Sequence, residues 1–278
     1  MPRIKLLGLS FMSHALFKVV INKGNILMNQ DVADFIANEF LACVHNTIGR
    51  IQSEDTHRPF HGALLSEQAL FWSRFERSFS TSFGQRVIEQ ISRAAALNGG
   101  AQQAETQKET IVTLPIEQIN AIEEHISSLR NSRTVRPANW NIDVSELAVI
   151  RGTQGVQQLR VISDLWWQKD GVNNYMSIKT VKPNIDQTAE AKRDLLKLKL
   201  ADPSANVYYG LYYNPYGNFK QDYAWKPPMK IFNFNEDPCI LIGKEYWDTL
   251  GGVGFYEEVL GIASRVGETT RLAIQTLK

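Results

Sequence analysis

Asp164, Ser177 and Lys179 are the residues whose types and spacing point most clearly to chemistry. They lie in Ile162-Ser163-Asp164 and Ser177-Ile178-Lys179, on either side of the turn-forming run 169–174, KDGVNN. That arrangement predicts a β-hairpin with Asp164 late in one strand and Lys179 late in its antiparallel neighbour. Side chains alternate across a strand, so Ser177 and Lys179 share a face, and Asp164 meets them there if it points the same way. A carboxylate, a hydroxyl and an ammonium then converge on one patch. Such a set suits hydrolysis of a phosphodiester. The carboxylate offers oxygen to a hard cation, Mg2+ being the one expected. The cation polarises the phosphoryl oxygen and lowers the pKa of bound water. The lysine orients that water and offsets charge in the transition state.

The elements that must hold these residues are read from apolar spacing. Val32, Phe35, Ile36, Phe40, Val44 and Ile48 predict a helix over 29–52. Further helices are predicted over about 63–78 and 85–97, with the hydroxyl-rich stretch 78–84 as a turn between them. Residues 98–110 read as a loop. Ile116, Ile119, Ile122, Ile126 and Leu129 form a helical stripe. The period then changes. Strands are predicted over 142–151, 159–168 and 175–181, a helix over 186–200, and strands over 207–213 and 240–242. Helices follow from about 244 and from about 255. The order is helices, then β-β-β-α-β, then helices, which predicts an α/β fold: a mixed sheet flanked by helices. The reading gives one domain over 28–278, mainly helical over 28–135, with the catalytic α/β core over 140–278.

Composition excludes more than it selects. The 278 residues are 44% hydrophobic and 21% charged, ordinary for a globular protein. The net charge of +1 points neither to nucleic acid nor away from it, because what matters is a local basic groove. Cys43 and Cys239 stand alone, with no CxxC pair, and read as small buried hydrophobes in a reducing, cytoplasmic setting. No run approaches the ~18 apolar residues that a membrane span needs. Residues 1–27 carry Arg3, Lys5, Lys18 and Lys23 and no acid. They read as an appended segment, with Met28 expected as the natural start. The five histidines show no metal-ligand spacing, and neither G-x-S-x-G nor a Gly-rich phosphate loop occurs.

Longer strings carry a family resemblance. They are RFERSFSTSFGQ over 74–85, SIKTVKPNIDQTA over 177–189, YYGLYYNPYGN over 208–218 and LIGKEYWDTLGGV over 241–253. The sequence resembles the TdeIII-type restriction endonucleases, within the PD-(D/E)xK nuclease superfamily, whose core runs α-β-β-β-α-β. The likeness extends from about residue 60 to the end. It implies a type II restriction enzyme that cuts duplex DNA at a short, near-palindromic site, GGNCC-like sites being associated with the family. It also implies Mg2+, a homodimer and a cognate DNA methyltransferase. Two departures matter. Ser163 stands where proline precedes the acid, and Ser177 where the second acid usually stands. A serine hydroxyl is a poor magnesium ligand, so the other carboxylate has to come from a flanking helix. Glu76, favoured because Arg74, Arg77, Ser78 and Ser80 surround it, and Glu190 are the two choices. The residues expected to touch DNA are those four together with Lys182, Asn184, Lys192, Arg193, Asn214 and Tyr216. A metal-dependent nuclease of another role, or a DNA-binding homologue disabled by Ser177, remain the alternatives.

Overall fold

The computed structural model describes residues 28–53, 57–133 and 136–277. The basic segment 1–27, with its reading as an appendage, lies outside the described residues. In chain order the helices and strands are α1 (Gln30–Ser53), α2 (Pro59–Leu64), α3 (Glu67–Ser82), α4 (Ile88–Asn98), β1 (Gln103–Pro115), α5 (Ile116–Arg130) and α6 (Trp140–Ala148). They continue with β2 (Val156–Lys169), β3 (Val172–Lys179), α7 (Ile185–Ala201), β4 (Asn206–Leu211), β5 (Ile240–Ile242), α8 (Lys244–Gly251) and α9 (Phe255–Gln275). The strands form one mixed sheet in the order β1-β2-β3-β4-β5, antiparallel from β1 to β3 and parallel from β3 to β5.

Helices cover both faces of the sheet. On one, Ile36 of α1, Ile88 and Ile91 of α4 and Tyr246 of α8 pack with Leu165, Trp167 and Met176. On the other, Ile122 of α5, Trp140 of α6 and Leu195 and Leu196 of α7 pack with Tyr175, Val207 and Tyr209. The mixed α/β sheet flanked by helices is therefore present, in the order α4-β1-β2-β3-α7-β4. Helices α5 and α6 are inserted between β1 and β2.

Three segments differ from the sequence-based expectation. The loop expected at 98–110 is mostly β1, an edge strand paired with β2 from Gln103↔Gln168 to Pro115↔Val156. Even-numbered residues from Ala104 to Leu114 are the more buried throughout, but Thr106, Lys108 and Thr110 fill the middle of that row, so no apolar alternation shows in the sequence. Ala104 packs with the α4 side, whereas Val112 and Leu114 pack with the α5 side. A long two-stranded ribbon twists this strongly when little else flattens it. The strand expected at 142–151 is helix α6. Asn139 caps it by accepting from the Ile142 N–H at 3.1 Å, while Trp140, Val144 and Leu147 face the core and Ile142 and Val149 are exposed. The turn expected at 78–84 is helix. Phe75, Phe79 and Phe83 continue one apolar stripe, with Phe79 and Phe83 stacked at 5.2 Å, and a π-turn over Phe83–Val87 leads into α4.

The hairpin that presents the chemistry is tighter than its sequence suggested. Asp170 and Gly171 both take positive φ, 52° and 76°, as a two-residue turn between strands requires. Pairing of β2 with β3 runs from Lys169↔Val172 to Leu165↔Met176 and stops there. β3 stays paired with β4 as far as Lys179↔Leu211. The two strands thus part where Asp164 and Ser177 begin, and side chains fill the gap.

Candidate active site

Asp164 is the centre of the gap. Its Oδ2 accepts from the Ile178 N–H at 2.6 Å, the Ser177 hydroxyl at 3.3 Å and the Lys179 ammonium at 3.4 Å. All three donors come from the end of β3. The expected convergence of Asp164, Ser177 and Lys179 is met, and both charged side chains are half-buried. Partial burial strengthens their attraction while leaving solvent access.

A second carboxylate reaches this centre from α4. The Gln107 amide Nε2 donates to Glu89 Oε1 at 3.0 Å and to Asp164 Oδ1 at 3.4 Å, bridging the two acids. Burial pushes the Glu89 carboxyl up. The Gln107 hydrogen bond opposes that push, the Asp164 charge adds to it, and the Lys179 charge lowers it. Glu89 therefore feels both members of the pair. Gln107 sits in β1 with φ 52°, a left-handed backbone that costs a non-glycine residue about 1–2 kcal/mol. Backbone strain of this kind concentrates at functional sites. Sequence reading missed Glu89 because β1 was taken for a loop, which left α4 with no sheet beside it. An acid on the helix directly before the first core strand was the available signal.

The other proposed acids fall in different places. Glu190 is exposed on α7 and lines a cleft of about 400 Å3 together with Asp164, Ser177, Lys179, Gln107 and Arg160. Glu76 is exposed on α3, where its Oε1 accepts from the Ser80 hydroxyl at 2.7 Å, and α3 packs chiefly against α1. The structure does not bring Glu76 to Asp164. Among the described residues, no three His, Cys, Asp or Glu side chains come together as a ready metal cage.

The residues expected at DNA divide similarly. Lys182 is exposed just past β3, its ammonium over the rings of Tyr216 at 5.6 Å and Trp225 at 5.7 Å. Tyr216 is itself exposed in the loop after β4. Asn214 shapes that loop, donating to the Phe219 carbonyl at 2.6 Å and accepting from the Tyr216 N–H at 3.0 Å. Asn184 caps α7, accepting from the Gln187 N–H at 2.8 Å in a capping box. Arg193 pairs with Glu123 at 2.8 Å. Ser78 accepts from Arg50, Arg77 is exposed, and Arg74 lines a separate hollow of about 910 Å3 beside α2. Lys192 corrects the expectation outright. It is wholly buried, donating to Asp143 and to the Ile231 carbonyl, and cannot reach a phosphate. Arg160, not anticipated, lines the cleft and pairs with Glu109 at 2.6 Å.

A five-stranded mixed sheet with helices on both faces is compatible with a restriction endonuclease fold. The chain matches the family model described as type II restriction endonuclease, HinfI, over residues 28–267, and it belongs to that family. It is a type II site-specific endonuclease, and DNA is its substrate. No curated protein sequence matches it. The type II restriction endonuclease expected from the sequence strings is thus present as the HinfI family, and the match does not extend to the TdeIII subtype.

Proposed function

We propose that the protein hydrolyses phosphodiester bonds of duplex DNA in a Mg2+-dependent reaction, cutting at a short near-palindromic site. A GGNCC-like site is the expectation under the TdeIII-type resemblance. The observation that carries the reading is the cluster at Asp164: three donors from β3 on one oxygen, and a bridge through Gln107 to Glu89 on the other. A positively polarised amide nitrogen between two carboxylates marks a place suited to a cation, and the donors are the hard oxygens magnesium takes. Asp164 and Glu89 would hold it, and Glu190 lines the cleft with Asp164. The bound ion supplies Lewis acidity at the phosphoryl oxygen and a water of lowered pKa.

The chain's own residues do the rest. Lys179 lies beside Asp164, where its ammonium orients the attacking water and offsets charge on the phosphorane oxygens. The Ser177 hydroxyl and the Ile178 N–H fix the rotamer of Asp164. Arg160, at the cleft, and Lys182, held over two rings, contact backbone phosphates. The loop carrying Asn214 and Tyr216 lies beside Lys182 and reads base edges. A near-palindromic site calls for two copies related by a twofold axis, and a cognate methyltransferase protects the host's own sites.

Cleavage of unmethylated plasmid with Mg2+, Mn2+ or Ca2+, mapped to sequence at the cut ends, tests the reading. Discrete fragments with Mg2+ support it. Tight DNA binding with no cut under any of these ions favours the binding-only alternative that Ser177 suggests.

A further inference from the structure

Two carboxylates leave most positions around a divalent cation to other oxygens, and among the described residues no three His, Cys, Asp or Glu side chains are gathered closely enough to hold one. Any further protein ligand gathered at this pair is then a neutral oxygen. The Ser177 hydroxyl is engaged as a donor to Asp164 Oδ2. Gln107 is differently placed. It stands opposite Asp164 between the pairs Thr106↔Leu165 and Lys108↔Ser163, and its left-handed φ of 52° re-aims its side chain in mid-strand. Its amide nitrogen lies 3.0 Å from Glu89 Oε1 and 3.4 Å from Asp164 Oδ1. Its carbonyl oxygen accepts no hydrogen bond among the described residues.

We propose that Gln107 is a ligand of the catalytic cation: its amide bridges Asp164 and Glu89 in the metal-free enzyme and turns over to present Oε1 to the ion. The proposal rests on Asp164 and Glu89 being the metal-binding acids. A half-turn about Cγ–Cδ exchanges the amide oxygen and nitrogen at nearly the same positions. Neighbouring oxygens around an octahedral ion with bonds of about 2.1 Å lie about 3.0 Å apart. The nitrogen-to-oxygen spacings already present are close to that figure. The amide thus serves both states, donating between two negative charges when the ion is out and accepting when it is in. Strain at Gln107 holds the side chain at the acids in either case.

Calcium titration of the DNA-free protein by calorimetry tests this without relying on cleavage. Gln107→Leu removes the oxygen and keeps the size, Gln107→Glu keeps an oxygen and loses the amide donors, and all share the same backbone strain. Gln107→Leu is expected to lose tenfold or more in calcium affinity while still unfolding in one cooperative metal-free transition. Gln107→Glu is expected to match or exceed the wild-type affinity. Wild-type affinity in Gln107→Leu, with binding lost in Asp164→Asn, overturns the ligand role and leaves the two-acid reading standing. Equal losses in Gln107→Leu and Gln107→Glu also overturn it, making Gln107 a hydrogen-bonding spacer. Unchanged binding in Asp164→Asn overturns the two-acid reading and the proposal with it.

Discussion

At the scale of single residues, chemistry is concentrated in side chains whose partners are charged and local. Asp164→Asn and Lys179→Met should each lower the cleavage rate roughly a thousandfold, since each removes a group acting on developing charge. Glu89→Gln should produce a loss of similar order, whereas Glu76→Gln should cut DNA as the wild type does. Rates on a single-site plasmid check both. The Asp164, Ser177 and Lys179 trio was legible in the sequence because a hairpin fixes which residues face each other. The second acid was not legible, because its position depends on a strand whose inward row carries Thr106, Lys108 and Thr110 and so shows no apolar period. Residue type alone also misled. Lys192 and Asn184 have the chemistry of DNA contacts, yet one neutralises a buried carboxylate and the other caps a helix.

At the scale of elements, α7 is anchored beneath the cleft by a buried ionic cluster. Asp143 of α6 meets Lys192 of α7, Arg136 at 2.8 Å and the His125 ring of α5 at 3.3 Å. Burial raises the Asp143 carboxyl, but the His125 ring and the Lys192 charge outweigh it and hold the group well below the usual range. Removing Lys192 leaves Asp143 with Arg136 and the His125 ring, whereas removing Asp143 strands the buried Lys192 charge. Asp143→Leu should therefore cost about 3–5 kcal/mol in urea unfolding, and Asp143→Leu with Lys192→Met should recover part of it. The start of α5 carries a separate pH effect. Glu117 accepts from the Thr153 N–H, the Thr153 hydroxyl and the Gln154 N–H, and these lower its carboxyl to about 2. A depressed carboxyl stabilises the fold fully above its unfolded value of about 4.3 and loses that contribution as pH falls toward 2. Glu117→Gln should show a flatter pH dependence of the melting temperature between about 4.3 and 2 than wild type. Helices α1, α5, α7, α8 and α9 were legible from their apolar spacing. α6 was read as a strand although its β-branched Ile142, Val144 and Val149 share no strand face, and its Asn139 cap with the Trp140, Val144 and Leu147 spacing marks the helix.

At the scale of the molecule, no described helix is long and apolar enough to cross a membrane, and a net charge of +1 leaves DNA attraction to local groups. Lys179 and Arg160 supply that local charge at the cleft, and Lys182 is exposed just past the end of β3. Binding should weaken steeply with added salt, and Lys182→Ala should make that dependence shallower. A twofold reader of a near-palindromic site should sediment at twice the chain mass, and a monomer at micromolar concentration would contradict that part of the reading. The central claim is that a cation-dependent cut is made at Asp164 and Lys179. Its most direct test is the purified protein on unmethylated phage DNA, with and without Mg2+, beside Asp164→Ala and Lys179→Ala. Discrete Mg2+-dependent fragments that both substitutions abolish are the expected result. The same fragments from a folded Asp164→Ala protein, or none from the folded wild type with any divalent ion, would contradict it.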